Sequence, residues 1–416
     1  MKHRRWIGWL AAAVLLLSLT GCSDTPAGSG ASGTGGTSGT SSTAGGADEA
    51  VFREDFIRGA DVSSLYMVAQ CGGEFTDTDG TKLDEEDEIL NCLKILQKHG
   101  VNWIRLRLWV DPSAAKQSGG LNDLQTDLEI AKRAKSIGLK FLLNFHYSDT
   151  WCDPGQQAIP ESWEEVAPDD LPDTLYTYTD SVLKAFADAG CLPDMVQVGN
   201  ELNSGLLWPH GQNPDRFAEL MKAGIRAVKD NDPTGDSIRT MIHLANGGDN
   251  DLYRSVFDSL TQRGVEFDVI GLSYYPFWHG SIQSFLDNMD DISARYDKDV
   301  VCAETSYGYT LESYSIPGGM TTANIFGAQQ AGDGGFPATV EGQQQAVSQV
   351  FRAVAMVQNS RGLGVFYWEP AWIPTPETGS GWAAGNSTDS WANQAVFSYE
   401  GQALPSIDLF QTGLED

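Results

Sequence analysis

Basic side chains are scarce in this 416-residue chain, with 27 Lys and Arg against 56 Asp and Glu and a formal net charge of −29. So acidic a surface repels nucleic acid and anionic lipid and favours neutral or cationic partners. Histidine and cysteine number only six each. Neither a CxxC nor an HExxH spacing occurs, which argues against a zinc site and a dense disulfide framework. No Gly-rich phosphate loop sits between a strand-like and a helix-like segment, and no GxSxG serine elbow appears. Apolar runs long enough to span a bilayer comfortably are missing too, the longest being Trp6 to Leu17. Aromatics, in contrast, are plentiful, with 12 Trp and 13 Tyr. They serve either a large core or a cleft that stacks on flat apolar faces such as sugars.

The N-terminus has the marks of an address. Lys2, Arg4 and Arg5 precede the apolar run, and Leu19-Thr20-Gly21-Cys22 follows it. A basic region, a short apolar stretch and a small residue before the cut describe an export signal. Leu-Thr-Gly-Cys resembles the bacterial lipobox, in which the cysteine becomes the lipidated first residue; ordinary cleavage with Cys22 incidental is the alternative. The expected organisation is a leader over 1–21, a lipidated Cys22 with a tether over 22–50, and one catalytic domain over 51–416. Removing the leader takes the charge from −29 to −32. Residues 23–50 are almost all Gly, Ser, Thr and Ala and lack the apolar surface needed to order themselves. Cys71, Cys92, Cys152, Cys191 and Cys302 remain, an odd set that leaves room for a bridge whose partners the spacing does not name.

Beyond Val51, strand-like segments alternate with amphipathic ones. The strands are expected at Phe56–Val62, Asn102–Trp109, Leu139–His146, Met195–Gly199, Ile238–Leu244, Val269–Tyr274, Val300–Ala303 and Gly364–Trp368. Helices are expected at Asp84–His99, Asp127–Ile137 and Phe217–Val228, and Gly100, Gly138, Gly190 and Gly264 read as helix stops. Length alone suggests two or three domains, but α/β barrels fill about 200 to over 400 residues as one. A doubly wound sheet uses the same alternation. Polar residues decide for a (β/α)₈ barrel, because they gather at the C-terminal ends of nearly every strand, the face that carries the chemistry in this fold.

Two carboxylates stand out there. Glu201 follows Val196-Gln197-Val198-Gly199-Asn200 at the end of the fourth strand, and Glu304 follows Val300-Val301-Cys302-Ala303 at the end of the seventh. Those strands lie on opposite sides of an eight-stranded barrel, so the side chains can face each other, as glycoside hydrolysis requires. A metal site is the rival use of facing carboxylates, but no His or Asp cluster sits beside them.

Longer motifs narrow the reading: Phe56-Ile57-Arg58-Gly59-Ala60-Asp61-Val62-Ser63-Ser64-Leu65, Trp103-Ile104-Arg105-Leu106-Arg107-Leu108-Trp109, Phe145-His146-Tyr147-Ser148-Asp149-Thr150-Trp151, and Ser273-Tyr274-Tyr275-Pro276-Phe277-Trp278-His279-Gly280. From about Phe56 onward the chain resembles glycoside hydrolase family 53, the endo-β-1,4-galactanases acting on galactan and type I arabinogalactan. The resemblance implies Glu201 as proton donor, Glu304 as nucleophile and Asn200 as a contact to the sugar 2-hydroxyl. It implies that Arg105 or Arg107, two apart on one strand face, holds Glu304 ionised, Arg105 better matching the family's clan. One of Tyr274 and Tyr275 should touch the nucleophile, since alternation lets only one point inward. Trp368 is implied as the floor under the scissile sugar. Tyr147, Trp109 and Trp372 are candidates for sugar stacking, and His146, Asp149, Asn246 and Gly247 for other substrate contacts. No cofactor is implied for the chemistry. The partner is a polysaccharide met by a monomer, with membrane attachment through Cys22 alone and no nucleic acid.

Three departures stand against the family pattern. Asn144 and Cys152 replace the usual Asp and Ala. Bacterial relatives carry a calcium-binding loop after the seventh strand, where this chain reads Ser313-Tyr314-Ser315-Ile316-Pro317-Gly318-Gly319-Met320, without the carboxylates calcium prefers. Three other readings stay open: a sugar-binding importer lipoprotein, a barrel that only holds glycan, and a relative cutting β-mannan, β-glucan or xylan.

Overall fold

The computed structural model describes residues 52–113, 121–315, 321–375 and 389–412. The leader, Cys22, the tether, Ile316–Met320 and Gly381–Ala383 lie outside the described residues. The chain runs β1 (Ile57–Asp61), α1 (Leu65–Gln70), α2 (Glu88–Lys98), β2 (Trp103–Leu108), α3 (Leu124–Ser136), β3 (Lys140–Phe145), α4 (Leu171–Asp188), β4 (Met195–Val198), α5 (Pro214–Asp230) and β5 (Arg239–Leu244). It continues through α6 (Asn250–Gln262), β6 (Val269–Ser273), α7 (Ile282–Tyr296), β7 (Asp299–Thr305), α8 (Ala328–Gly334), α9 (Val340–Ala355), β8 (Gly362–Trp368) and α10 (Leu409–Thr412). Every strand pairs in parallel with its sequence neighbour and β8 closes on β1, giving an eight-stranded barrel in the expected order.

Helix starts follow side-chain caps rather than the apolar pattern alone. α2 begins four residues later than expected because Asp87 accepts from the Leu90 amide; Asp84 instead pairs with Lys94 at 2.8 Å. α5 begins three residues earlier, where Asn213 caps the amides of Asp215 and Arg216 ahead of Pro214. Gly100, with φ 103°, ends its helix as read. A Cβ there would meet the Phe410 carbonyl oxygen at 2.8 Å, so the position demands glycine for space as well as for φ.

The barrel lumen is layered. Ile57, Trp103, Leu142, Met195, Met241, Val269, Val301, Ala303, Leu363 and Phe366 fill it as a closed apolar plug. Toward the C-terminal mouth the inward positions turn polar, with Arg105, Arg107, Asn144, Gln197 and His243 all buried. A plug below and polar groups above confine chemistry to the mouth. The five cysteines within the described residues are unpaired.

Candidate active site

Both carboxylates reach the mouth through backbone irregularities. After β4 the chain turns sharply at Gly199 (φ 84°) and Glu201 (φ 48°), a left-handed conformation costly for a glutamate. The turn is pinned by the Leu202 amide donating to the His243 carbonyl at 2.9 Å. In β7, Val301 and Ala303 face the lumen, so strict alternation would send Glu304 outward. A register shift frees it: Leu272 pairs with Cys302 but Ser273 with Glu304. One extra residue in the strand re-aims the carboxyl into the mouth.

Their surroundings differ sharply. Glu304 Oε1 lies 2.8 Å from Arg105 Nη2, and Tyr275 donates its hydroxyl to Oε2 at 3.2 Å. Burial raises the Glu304 pKa, and Arg105 and Tyr275 draw it back toward the ionised form. Arg105 is held by Asp61 at 2.6 Å and by Gln197 Oε1 and Asn200 Oδ1 at 3.0 to 3.2 Å. Among the described residues no cation contacts Glu201; Ser273 donates to its Oε1 at 2.6 Å. Burial and the charge of Glu304 push Glu201 up to about 8.

The pair opens into a cleft of about 630 Å³ lined by His146, Trp151, Asp153, Asn200, Asn246, Trp278, His279, Trp368, Trp372 and Trp391 among others. Its indoles form one connected wall: Trp368 meets Trp391 edge-on at 4.5 Å, and Trp391 meets Trp278 at 6.2 Å. Arg107 does not touch Glu304 in the manner of Arg105. It pairs with Glu369 at 3.2 Å and lies 4.3 Å from the Trp151 ring, so it supports the indole wall. His146 accepts at Nδ1 from Trp109 Nε1 and the Cys152 amide. With Nδ1 so occupied the ring proton sits on Nε2, and burial beside Arg107 and Arg105 keeps the imidazole neutral.

Several expected contacts lie elsewhere. Tyr274 points away from the mouth, stacked on Phe285 at 4.2 Å with its hydroxyl donating to the Gly280 carbonyl; Tyr275 is the inward tyrosine. Tyr147 stacks on Phe145 at 5.2 Å and bonds Thr179 of α4, which places it between barrel and helix. Asp149 accepts from the amides of Asp111 and Glu161 and fastens two loops. Gly247 packs so closely that a Cβ would meet the Ser273 carbonyl at 2.9 Å. Trp109 is fully buried. Residues beyond the sequence reading are Asp61, Gln197, His243, Ser273 and Glu369. Each is polar, at or near a strand's C-terminal end, and that position was the available signal.

Of the Ser313–Met320 stretch after β7, only Ser313–Ser315 lies within the described residues, and that part offers no carboxylate for calcium. Tyr314 packs 5.2 Å from Tyr399 and donates its amide to Thr322 Oγ1, while Ser315 bonds Thr321. Among the described residues no group of three or more His, Cys, Asp or Glu is suited to a metal.

A closed parallel barrel that carries a half-buried and a buried glutamate at the ends of β4 and β7, in a tryptophan-walled cleft, defines a glycosidase-type (β/α)₈ protein. The chain belongs to glycosyl hydrolase family 53, whose model matches residues 57–410. It is 36% identical over 388 residues to an endo-beta-1,4-galactanase of Bacillus subtilis, covering 86% of each chain. The family 53 catalytic domain of Ignisphaera aggregans superposes with a TM-score of 0.80 at 40% identity, covering 87% of this chain and 97% of that one. A fungal beta-1,4-galactanase superposes with a TM-score of 0.70 at 31% identity, covering 85% and 98% respectively.

Proposed function

We propose that this protein is an endo-β-1,4-galactanase that cleaves galactan and type I arabinogalactan with retention of configuration. The observation that carries the reading is the division of labour at the mouth. Glu304 is paired with a guanidinium, whereas Glu201 faces it without one and is pushed up to about 8, so it holds a proton at neutral pH. Glu304 Oε attacks the anomeric carbon while Glu201 gives its proton to the leaving glycosidic oxygen. Water then attacks the glycosyl-enzyme, with Glu201 taking the water's proton and Glu304 leaving as carboxylate. Asn200, Trp368 and the cleft indoles position the sugar, and the galactanase names of the relatives supply the substrate class.

The test is a reducing-sugar assay on galactan beside mannan, xylan and β-glucan, followed by variants. Glu304→Ala is expected to lose at least about 10⁴-fold in kcat and to be partly restored by azide, giving a galactosyl azide of inverted configuration. Glu201→Ala loses most turnover on galactan and much less on an aryl glycoside whose leaving group needs no proton. An α-configured first product by NMR sinks the mechanism.

We further propose that the domain is held at the cell surface by a lipidated Cys22, with residues 23–50 as spacer. The lipobox resemblance and the low-complexity composition support this. Cys22→Ser is expected to shift the protein out of the membrane fraction; unchanged fractionation and mobility contradict the anchor.

A further inference from the structure

Behind Glu201 stands a chain of buried polar groups that the two-carboxylate mechanism does not use. Ser273, the last residue of β6, is fully buried, and its hydroxyl donates to Glu201 Oε1 at 2.6 Å. His243 of β5, also fully buried, lies with Nε2 2.9 Å from that same hydroxyl oxygen. On the other side, His243 Nδ1 is 3.0 Å from Gln197 Nε2 and 3.1 Å from Asn200 Oδ1.

The donors can be ordered one by one. Gln197 presents Oε1 to Arg105 Nε and Nη2, which are donors only, so its Nε2 is the amide group turned to His243. A serine hydroxyl has one hydrogen, and here it points to Glu201. Ser273 therefore accepts from His243 Nε2–H, and the bare His243 Nδ1 accepts from Gln197 Nε2, which shares its two hydrogens with the Gly199 carbonyl and Asn200 Oδ1. Asn200 Oδ1 takes its hydrogens from Gln197, Arg105 and Asn144 and none from His243. The imidazole has to be neutral in this arrangement, and burial together with Arg105 holds its pKa well below the usual value.

We infer that Ser273, oriented by His243, is a positioning residue for the proton donor: it fills Oε1 of Glu201 so that the transferable proton resides on Oε2. A carboxylic acid left to itself places its proton on either oxygen. A donor fixed at one of them removes half the choices, and a general acid works only when the proton faces the leaving oxygen. The order of strands explains how three elements converge on one oxygen. β4 ends in the Glu201 turn, β5 supplies His243 and β6 supplies Ser273 at the point where its pairing with β7 shifts register.

The inference rests on Glu201 being the acid, and the experiment separates the two. kcat/KM is measured for galactan and for a dinitrophenyl β-galactobioside, since this parameter reports the first step alone. Ser273→Ala is expected to lower kcat/KM on galactan about 10- to 100-fold, and on the dinitrophenyl substrate by less than about 3-fold. The charged groups around Glu201 are Glu304 on β7, Arg105 on β2 and Asp153 after β3, with neutral His243 and Tyr275 beside them, and none of them changes. Loss of the Ser273 donor destabilises the Glu201 carboxylate, so the alkaline limb of the galactan profile moves to higher pH. Ser273→Thr keeps the hydroxyl and restores the galactan rate. Should Ser273→Ala fold poorly, His243→Asn carries the test with the same substrate selectivity. Equal losses on both substrates, or no loss on either, overturn the inference. Wild-type inactivity on galactan would instead overturn the proposed function.

Discussion

Asp61 and Glu304 share one guanidinium. Arg105 gives Nη1 to Asp61 at 2.6 Å and Nη2 to Glu304 at 2.8 Å, all three side chains being buried. Asp61 is itself anchored by the amide and hydroxyl of Ser63. Its negative charge cancels much of what Glu304 would otherwise feel from Arg105, which keeps Glu304 basic enough to attack. Asp61→Asn preserves shape and an acceptor for Arg105 but removes the charge. The pull of Arg105 on Glu304 is then less opposed, and the Glu304 pKa falls. The acid limb of the kcat/KM profile is expected to move to lower pH, with the alkaline limb in place. An acid limb that stays where it is in the wild type contradicts the shared-charge account.

Strands and loops were legible in the sequence to different degrees, for physical reasons. Each of the eight strand segments read from apolar runs became a strand, with ends within two residues, because a barrel strand buried on both faces writes a continuous apolar signature. Glu201 and Glu304 were legible because they stop those runs. Which tyrosine faces Glu304 was not, since a register shift between β6 and β7 is invisible to a period-two pattern. Tyr147 misled for a related reason. It follows β3 but has φ 52°, a turn that swings the ring onto Phe145 and α4 instead of into the mouth. Asp149 misled because a carboxylate that caps two loop amides reads like one that binds a hydroxyl. The supporting layer of Asp61, Ser273 and His243 escaped because its members act across strands and show no spacing along the chain. The family resemblance did carry four of the cleft indoles into view, Trp151 and Trp278 within motif blocks and Trp368 and Trp372 as implied sugar contacts.

At the scale of the whole molecule, the chemistry and the pH range of folding are set by the same buried acids. Burial pushes Glu201, Glu369 and Asp389 each up to about 8. A carboxyl whose folded pKa is raised binds more protons in the folded state than in the unfolded one between about 4.5 and 8. Stability therefore falls as pH rises through that window. Below about 6.5 the histidines oppose this trend. His146 and His243 are held well below their usual value and His279 near 4, so the unfolded chain binds their protons first. Near pH 2 to 4, the ion-paired carboxylates Asp77 and Asp84 and the amide-capped Asp232, each lowered to about 2, lose their contribution as well. The melting temperature is thus expected to peak between about pH 5 and 6.5 and to decline toward pH 8.5. Glu201 links that decline to function, because it must be uncharged to serve as an acid. Glu201→Gln keeps an acceptor for Ser273 without an ionisable proton. It is expected to abolish galactan turnover, leave the melting temperature at pH 5 nearly unchanged, and raise it at pH 8.5 by a few degrees relative to wild type. Calorimetry of both proteins at the two pH values checks the sign; equal shifts at both would show that the Glu201 charge does not burden the fold.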